Sequence, residues 1–251
     1  MALWQARRIS FEKNLQSVIF MFFGGLQKTT LLDYPGKVAA TVFTLGCNFY
    51  CPFCHNPELV NPVLTKKQPK ISDQQVLDFL KERQGLLEAL VITGGEPTLH
   101  FQLKDFISKV KKLNFLVKLD TNGSNSQILE DLITNKLVDY VAMDIKSPIK
   151  KYYLFTKGID YTSEIQKSIE ILMNSNIDYE FRTTLDPLNL NEEDILEISE
   201  MIKGAKAYYL QKFKNFKTLD NKYQKVNSWP EEKTQKVLEK IKNKFSICEI
   251  R

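Results

Sequence analysis

Three of the four cysteines in this 251-residue chain fall within eight residues, as Cys47, Cys51 and Cys54 in the spacing C-x3-C-x2-C. Thiolates held that close repel one another until a cation or a cluster neutralises them, so the spacing implies bound metal. A closed structural site would need a fourth ligand of similar quality. Cys248 is almost two hundred residues away, and His55 adjoins Cys54, where a short loop can hardly turn both side chains onto one metal. Three protein ligands on a four-iron cluster leave one iron open, and an open coordination position is where chemistry takes place. The segment reads as a reactive iron–sulfur site. A plain zinc site is the competing reading, weakened by the missing fourth ligand.

Other residues able to do chemistry recur at intervals: Gly94-Gly95-Glu96-Pro97, Asp120-Thr121-Asn122-Gly123, Asp144 with Lys146, then Arg182 and Gln211. Each, like Cys47, lies near the end of a short apolar, β-branched run suited to a buried parallel strand or just past it. These runs are Val38–Thr44, Leu86–Thr93, Phe115–Leu119, Val138–Ile145, Ile177–Thr184 and Ala205–Leu210. Helical periods fill the intervals, over Ser72–Arg83 (Ser72 as N-cap), Phe101–Lys112, Gln127–Thr134, Thr162–Asn174 and Glu192–Lys203. Ser228-Trp229-Pro230-Glu231 has the form of a capping box for a last helix to Lys244, before a terminal strand over Phe245–Ile250. Six βα units in a row predict an α/β fold, a single domain with a parallel sheet curved into a partial (β/α)6 TIM-like barrel. The site then lies at the C-terminal mouth of the strands, where all these residues gather.

Composition sets the outer bounds. With 43% hydrophobic residues, the chain can bury a full core in one domain. Residues 1–20 are locally basic and aperiodic, and read as an N-terminal extension to a domain over 21–251. The run Val18–Phe23 is far shorter than the ~20 residues that span a bilayer, and no small-residue cleavage site follows it. Bunched cysteines are no disulfide framework, so a cytoplasmic location is expected. The formal charge of +5 is mild. Its local density over Lys203–Lys225 reads as a solvated face or as a dock for an acidic partner protein. No nucleic-acid motif accompanies it, and no membrane association is expected.

The cysteine spacing with Phe53 before the last cysteine resembles the radical S-adenosylmethionine superfamily, and Gly94-Gly95-Glu96-Pro97 is similar to that family's glycine-rich strand end. The resemblance implies a [4Fe–4S] cluster on Cys47, Cys51 and Cys54, with S-adenosylmethionine chelating the fourth iron. Reductive cleavage then gives a 5′-deoxyadenosyl radical, the cofactors carrying the hard chemistry. It further implies Phe53 against adenine, Gly94 and Gly95 beside the methionine, and Glu96 on its ammonium. Asp120 or Thr121 would meet the ribose hydroxyls, and Arg182 the carboxylate. Cys51–Glu58, Gly24-Gly25-Leu26, Leu32–Gly36, Asp120–Gly123 and Met143–Lys146 resemble the activating enzymes of glycyl-radical enzymes. Over about residues 21–215 the likeness is greatest to the activating protein of anaerobic ribonucleoside-triphosphate reductase. Such enzymes take a hydrogen atom from a glycine of a partner protein, with flavodoxin or ferredoxin as expected electron donor. Related activases also place a monovalent cation at the positions of Asp120, Thr121 and Asp144.

Blander readings stand beside these. Glu96 can be a helix-start charge, Arg182 or Lys146 a structural ion-pair partner, and a strand-end aspartate a turn residue. His55 can hold its loop or touch substrate, and Cys248 reads as a buried bystander. Met143 and Tyr179 read as core. Alternative functions are a pyruvate formate-lyase-type activase, a radical enzyme acting on a small molecule such as a deazapurine precursor, and a non-catalytic iron–sulfur carrier. The absence of a cysteine-rich insertion between Cys54 and Gly94 argues against auxiliary clusters.

Overall fold

The computed structural model describes residues 21–251; the extension expected over residues 1–20 lies outside the described residues. The chain opens with a long strand, β1 (Phe22–Thr30), that folds back antiparallel on β2 (Ala39–Thr44). Two short helices, α1 (Pro57–Val60) and α2 (Pro62–Thr65), and a two-residue strand β3 (Ile71–Ser72) follow the cysteine loop. Alternation then sets in, with α3 (Asp73–Glu82), β4 (Ala89–Gly94), α4 (Leu103–Lys112), β5 (Leu116–Thr121), α5 (Ser126–Thr134) and β6 (Tyr140–Asp144). It continues through α6 (Thr162–Met173), β7 (Asp178–Thr184), α7 (Glu192–Met201), β8 (Ala207–Gln211), α8 (Glu231–Ile241) and β9 (Ile247–Ile250).

One sheet holds all these strands in the order β3-β1-β2-β4-β5-β6-β7-β8-β9. From β2 onward every neighbouring pair is parallel, as six βα units require. The two ends, β3 and β9, do not pair with each other, so the barrel is partial. Register brings the strand ends level: Thr44 pairs with Gly94, Asp144 with Arg182, and Thr184 with Gln211. Residues two apart share a sheet face, so Lys118 and Asp120, Tyr140 and Asp144, and Glu180 and Arg182 project together into the barrel. The opposite face is apolar and covered by helices. Val76, Leu77 and Leu80 of α3 form one such buried stripe. Ser72 caps that helix, and Gln75 reaches back to complete a capping box.

The structure departs from the sequence expectations in three places. β1 has no counterpart among them, because Gly24 and Gly25 break the apolar alternation that marks a strand. Its hairpin turn plugs the barrel floor. Tyr34 packs on Tyr140 at 5.6 Å between ring centres, and Thr41 Oγ1 donates to Asp33 at 2.6 Å. The capping box expected at Ser228–Glu231 does not form. Pro230 is the N-cap without a side-chain bond, and the Ser228 hydroxyl donates instead to the Phe213 carbonyl. Finally, β4 begins at Ala89 rather than Leu86, which sits exposed in a turn.

Candidate active site

The cysteine loop leaves β2 and is held by bonds to distant segments, since so short a loop has no secondary structure of its own to rest on. Gly46 N–H donates to the Leu59 carbonyl at 2.7 Å, Tyr50 N–H to that of Phe155 at 2.7 Å, and Asp220 N–H to that of Pro52 at 2.9 Å. Aromatic rings back the loop: Phe49 packs on Tyr152 and Tyr161, and Phe53 on Phe155 and Tyr223. His55 holds the loop as well. Its ring stacks on Phe216 at 5.2 Å and 4°, and its Nδ1 donates to the Lys217 carbonyl at 2.8 Å.

Gly94 and Gly95 meet this loop at van der Waals range. Gly94 has φ +118, and a Cβ on it would stand 2.4 Å from Thr44 N. On Gly95 it would stand 1.9 Å from the Gly46 carbonyl oxygen, whose donor is Glu96 N–H at 2.8 Å. No larger residue fits either position. The end of β4 is thereby pressed against the start of the cysteine loop.

Glu96 is 1% exposed. Its Oε1 accepts from Thr98 N (3.1 Å), Thr98 Oγ1 (2.6 Å) and Thr121 Oγ1 (2.7 Å), and its Oε2 from Asn122 N (2.7 Å). It thus caps the short turn Pro97–Leu99 and ties β4 to β5. Burial raises its pKa despite these donors, which stabilise the charged form. Oε2 keeps acceptor capacity, because a carboxylate oxygen can take a second bond.

The opposite wall is ionic. Asp120 accepts from Lys118 Nζ at 2.6 Å and Arg182 Nη1 at 3.2 Å. Asp144 accepts from Arg182 Nε at 2.8 Å and Lys146 Nζ at 2.9 Å. Burial alone would raise Asp144, but Arg182 and Lys146 outweigh it and hold the group at about 2. Asp120 is lowered likewise, burial being outweighed by Arg182 and Lys118. Lys146 is raised against its burial by Asp144. The ion-pair reading of Arg182 and Lys146 is therefore realised. The position expected to take a monovalent cation is neutralised here by side chains. Lys118, 2% exposed, was missed as a site residue, although a lysine inside the apolar run Phe115–Leu119 is itself a signal of a buried partner. Asn122, expected at the strand mouth, is there too; its Nδ2 donates to Asn48 Oδ1 at 3.0 Å.

These walls enclose one cavity of about 280 Å³. Its lining includes Cys47, Cys51 and Cys54, with Phe53, Gly94, Gly95, Glu96, Asp120, Thr121, Asp144, Lys146, Arg182 and Gln211. Cys248 lies elsewhere, on β9, paired with Tyr208. Burial pushes the Cys47 thiol up to about 12, with the Glu96 charge adding to it, and raises Cys51 and Cys54 as well. Without metal these thiols stay protonated, so loading them must release protons. Among the described residues no three His, Cys, Asp or Glu side chains are arranged to hold a single ion, the cysteines included. Three thiols line one cavity wall, a donor set that fits an iron–sulfur cluster.

A model of the radical S-adenosylmethionine superfamily matches residues 41–202. A protein of Methanocaldococcus jannaschii bearing the name of a glycyl-radical enzyme activating enzyme is 36% identical, covering 88% of this chain and 91% of its own. The pyruvate formate-lyase-activating enzyme of Clostridium pasteurianum is 26% identical over 80% of this chain and 85% of its own. The crystal structure of SuiB from Streptococcus suis shares the fold with a TM-score of 0.62 at 12% identity, covering 82% of this chain and 47% of that one. No helix among the described residues is long and apolar enough to cross a membrane. The superfamily's cofactors are a [4Fe–4S] cluster and S-adenosylmethionine, and the three cysteines the cluster needs are here in one cavity. The chain belongs to the radical S-adenosylmethionine superfamily and, within it, to the activating enzymes of glycyl-radical enzymes.

Proposed function

We propose that residues 21–251 form a domain whose Cys47, Cys51 and Cys54 hold the cluster, and that it installs a radical on a glycine of an anaerobic ribonucleoside-triphosphate reductase in the cytoplasm. One observation carries this reading: the three thiols and the ends of β4, β5, β6 and β7 line a single cavity. Bound there, S-adenosylmethionine supplies a 5′-deoxyadenosyl radical on one-electron reduction.

The chain's own residues bind, orient and shield. Glu96 Oε2, with its spare acceptor capacity, takes the methionine ammonium. Arg182 offers a planar fork to the carboxylate, and Asp120 or Thr121 meets the ribose. When Arg182 turns toward a ligand it releases carboxylate oxygens of Asp120 and Asp144, and these, with Thr121, are where a monovalent cation would sit. Gly94 and Gly95 leave bare backbone beside the ligand. Phe53 presents a buried ring on which adenine can pack. Water is kept out by the aromatic backing of the cysteine loop, which protects a radical from side reactions.

The choice of reductase rests on the likeness to its activating protein over about residues 21–215. The test is anaerobic incubation of the reduced, cluster-loaded protein with S-adenosylmethionine and the candidate reductase. A glycyl-radical doublet in electron spin resonance, absent when the reductase's loop glycine is alanine, is the expected result. Release of 5′-deoxyadenosine with no radical on the reductase would overturn the choice of partner. Release of none would overturn the enzymatic reading.

A further inference from the structure

The segment that follows β8 clasps the cysteine loop yet turns an unusual surface outward. Between Lys212 and Lys225 it carries five lysines and one acidic residue, Asp220. Asp220 is turned inward to accept from Lys222 N–H at 2.9 Å, capping the turn Asn221–Lys225. Lys212 pairs with Glu231, and Lys217 with Glu58. Lys214, Lys222 and Lys225 are exposed and, among the described residues, meet no carboxylate. In their midst Phe216 is 70% exposed, although it is a large aromatic side chain. Its ring lies flat on His55, with Phe213 stacked near the same imidazole at 6.0 Å and 19°. His55 is bonded directly to Cys54 in the chain.

Elsewhere the rings of the loop are packed or covered. Phe49 lies against Tyr152 and Tyr161, Phe53 lies against Phe155 and Tyr223, and Tyr50 is covered by the Lys157 ammonium at 3.6 Å. The Phe216–His55 stack is thus an aromatic contact leading from solvent to the residue next to a cluster cysteine, in a segment that carries uncompensated positive charge.

We propose that this surface, centred on Phe216 and framed by Lys214, Lys222 and Lys225, is where an acidic one-electron carrier protein docks to reduce the cluster. The inference rests on the reading that Cys47, Cys51 and Cys54 hold that cluster. The step is simple in balance. The reduced carrier loses one electron and the oxidised cluster gains it, with no bond made or broken and no proton required. Electron transfer between proteins falls steeply with distance, so the carrier has to sit close to the cluster, and the ring stack gives it a close point of contact. Charge complementarity does the rest, steering an acidic partner onto the face and fixing its orientation.

Flavodoxin hydroquinone is a suitable probe, with cluster bleaching followed by stopped flow and binding by calorimetry. The variant K214E/K222E/K225E is expected to bind flavodoxin more weakly and to slow flavodoxin-driven reduction about tenfold or more at low salt. That difference should shrink as salt screens the face. K214R/K222R/K225R should keep the wild-type rate. Phe216→Ala should slow reduction at saturating flavodoxin while keeping the salt dependence of binding. Iron content and reduction by dithionite should be unchanged in both lysine variants, and the Phe216→Ala rate is read per cluster and against dithionite, since that ring also backs the cysteine loop. Unchanged flavodoxin-driven rates in both the charge-reversed and Phe216→Ala proteins would overturn the proposal. So would an equal loss with dithionite, or a charge-reversed protein that keeps its flavodoxin rate but no longer binds the glycyl-radical partner. A wild-type protein whose cysteines hold no dithionite-reducible cluster would defeat the underlying reading instead.

Discussion

The two walls of the cavity are built by opposite means. The cysteine wall is a loop without regular structure, fixed by single backbone bonds and ring contacts from residues as far along the chain as Phe155, Phe216, Asp220 and Tyr223. The ionic wall grows from strands, where register sets Asp144 beside Arg182 and Asp120 one same-face step below them, within reach of the Arg182 side chain. One wall depends on the rest of the chain being folded around it. The other is laid down with the sheet, and its charges stay balanced before any ligand arrives. A cofactor that is half metal cluster and half zwitterion needs both kinds of wall.

The contrast can be broken first at the cysteines. Cys51→Ala should abolish cluster binding while leaving the fold intact, because the wall is held by its neighbours and not by the thiol. Cys248→Ala should keep full iron content; iron analysis with circular dichroism on both variants checks this. Next in size is the ionic wall. Asp144→Asn leaves Arg182 and Lys146 short of a partner and should destabilise the protein by about 2–4 kcal/mol in urea unfolding. Asp144 is a quarter exposed, which keeps the value toward the lower part of what a broken buried pair loses.

The same aspartate gives a pH signature. Its folded pKa is depressed to about 2, below the ordinary value of 3.8. Its contribution is therefore complete above about pH 4 and fades as pH falls from there toward 2. Wild type should lose part of its advantage over Asp144→Asn between pH 5 and pH 3, and a constant difference would contradict the pairing. A smaller effect belongs to the clasp. Tyr223 Oη donates to the fully buried Asp186 at 2.9 Å and accepts from Asn189 at 2.7 Å. Tyr223→Phe should lower stability by about 1–2 kcal/mol. Smallest of all, Ser228→Ala should cost no more than about 1 kcal/mol, the loss of its bond to the Phe213 carbonyl, since Ser228 does not cap α8.

Much of the ionic and glycine-rich edge is legible in the sequence, because a strand delivers its last residues to a place fixed by the sheet. The apolar run before Gly94 or Asp144 is enough to put both at the mouth. The cysteine wall is legible only in its ligands. Nothing in the spacing around Cys47 foretells Phe155 or Asp220, because those contacts are non-local and carry no period. The floor plug was hidden for another reason: Gly24 and Gly25 erase the strand pattern of β1, and Tyr34 looks like one more turn residue. Glu96 caps Pro97–Leu99, as the blander reading expects, and it also lines the cavity.

Electron spin resonance of the dithionite-reduced, anaerobically reconstituted protein, recorded with and without S-adenosylmethionine, tests the central claim most directly. A [4Fe–4S] signal whose line shape changes when S-adenosylmethionine is added, in wild type and Cys248→Ala alike, is the predicted result. A signal indifferent to S-adenosylmethionine, or one that disappears when Cys248 is replaced, would contradict it.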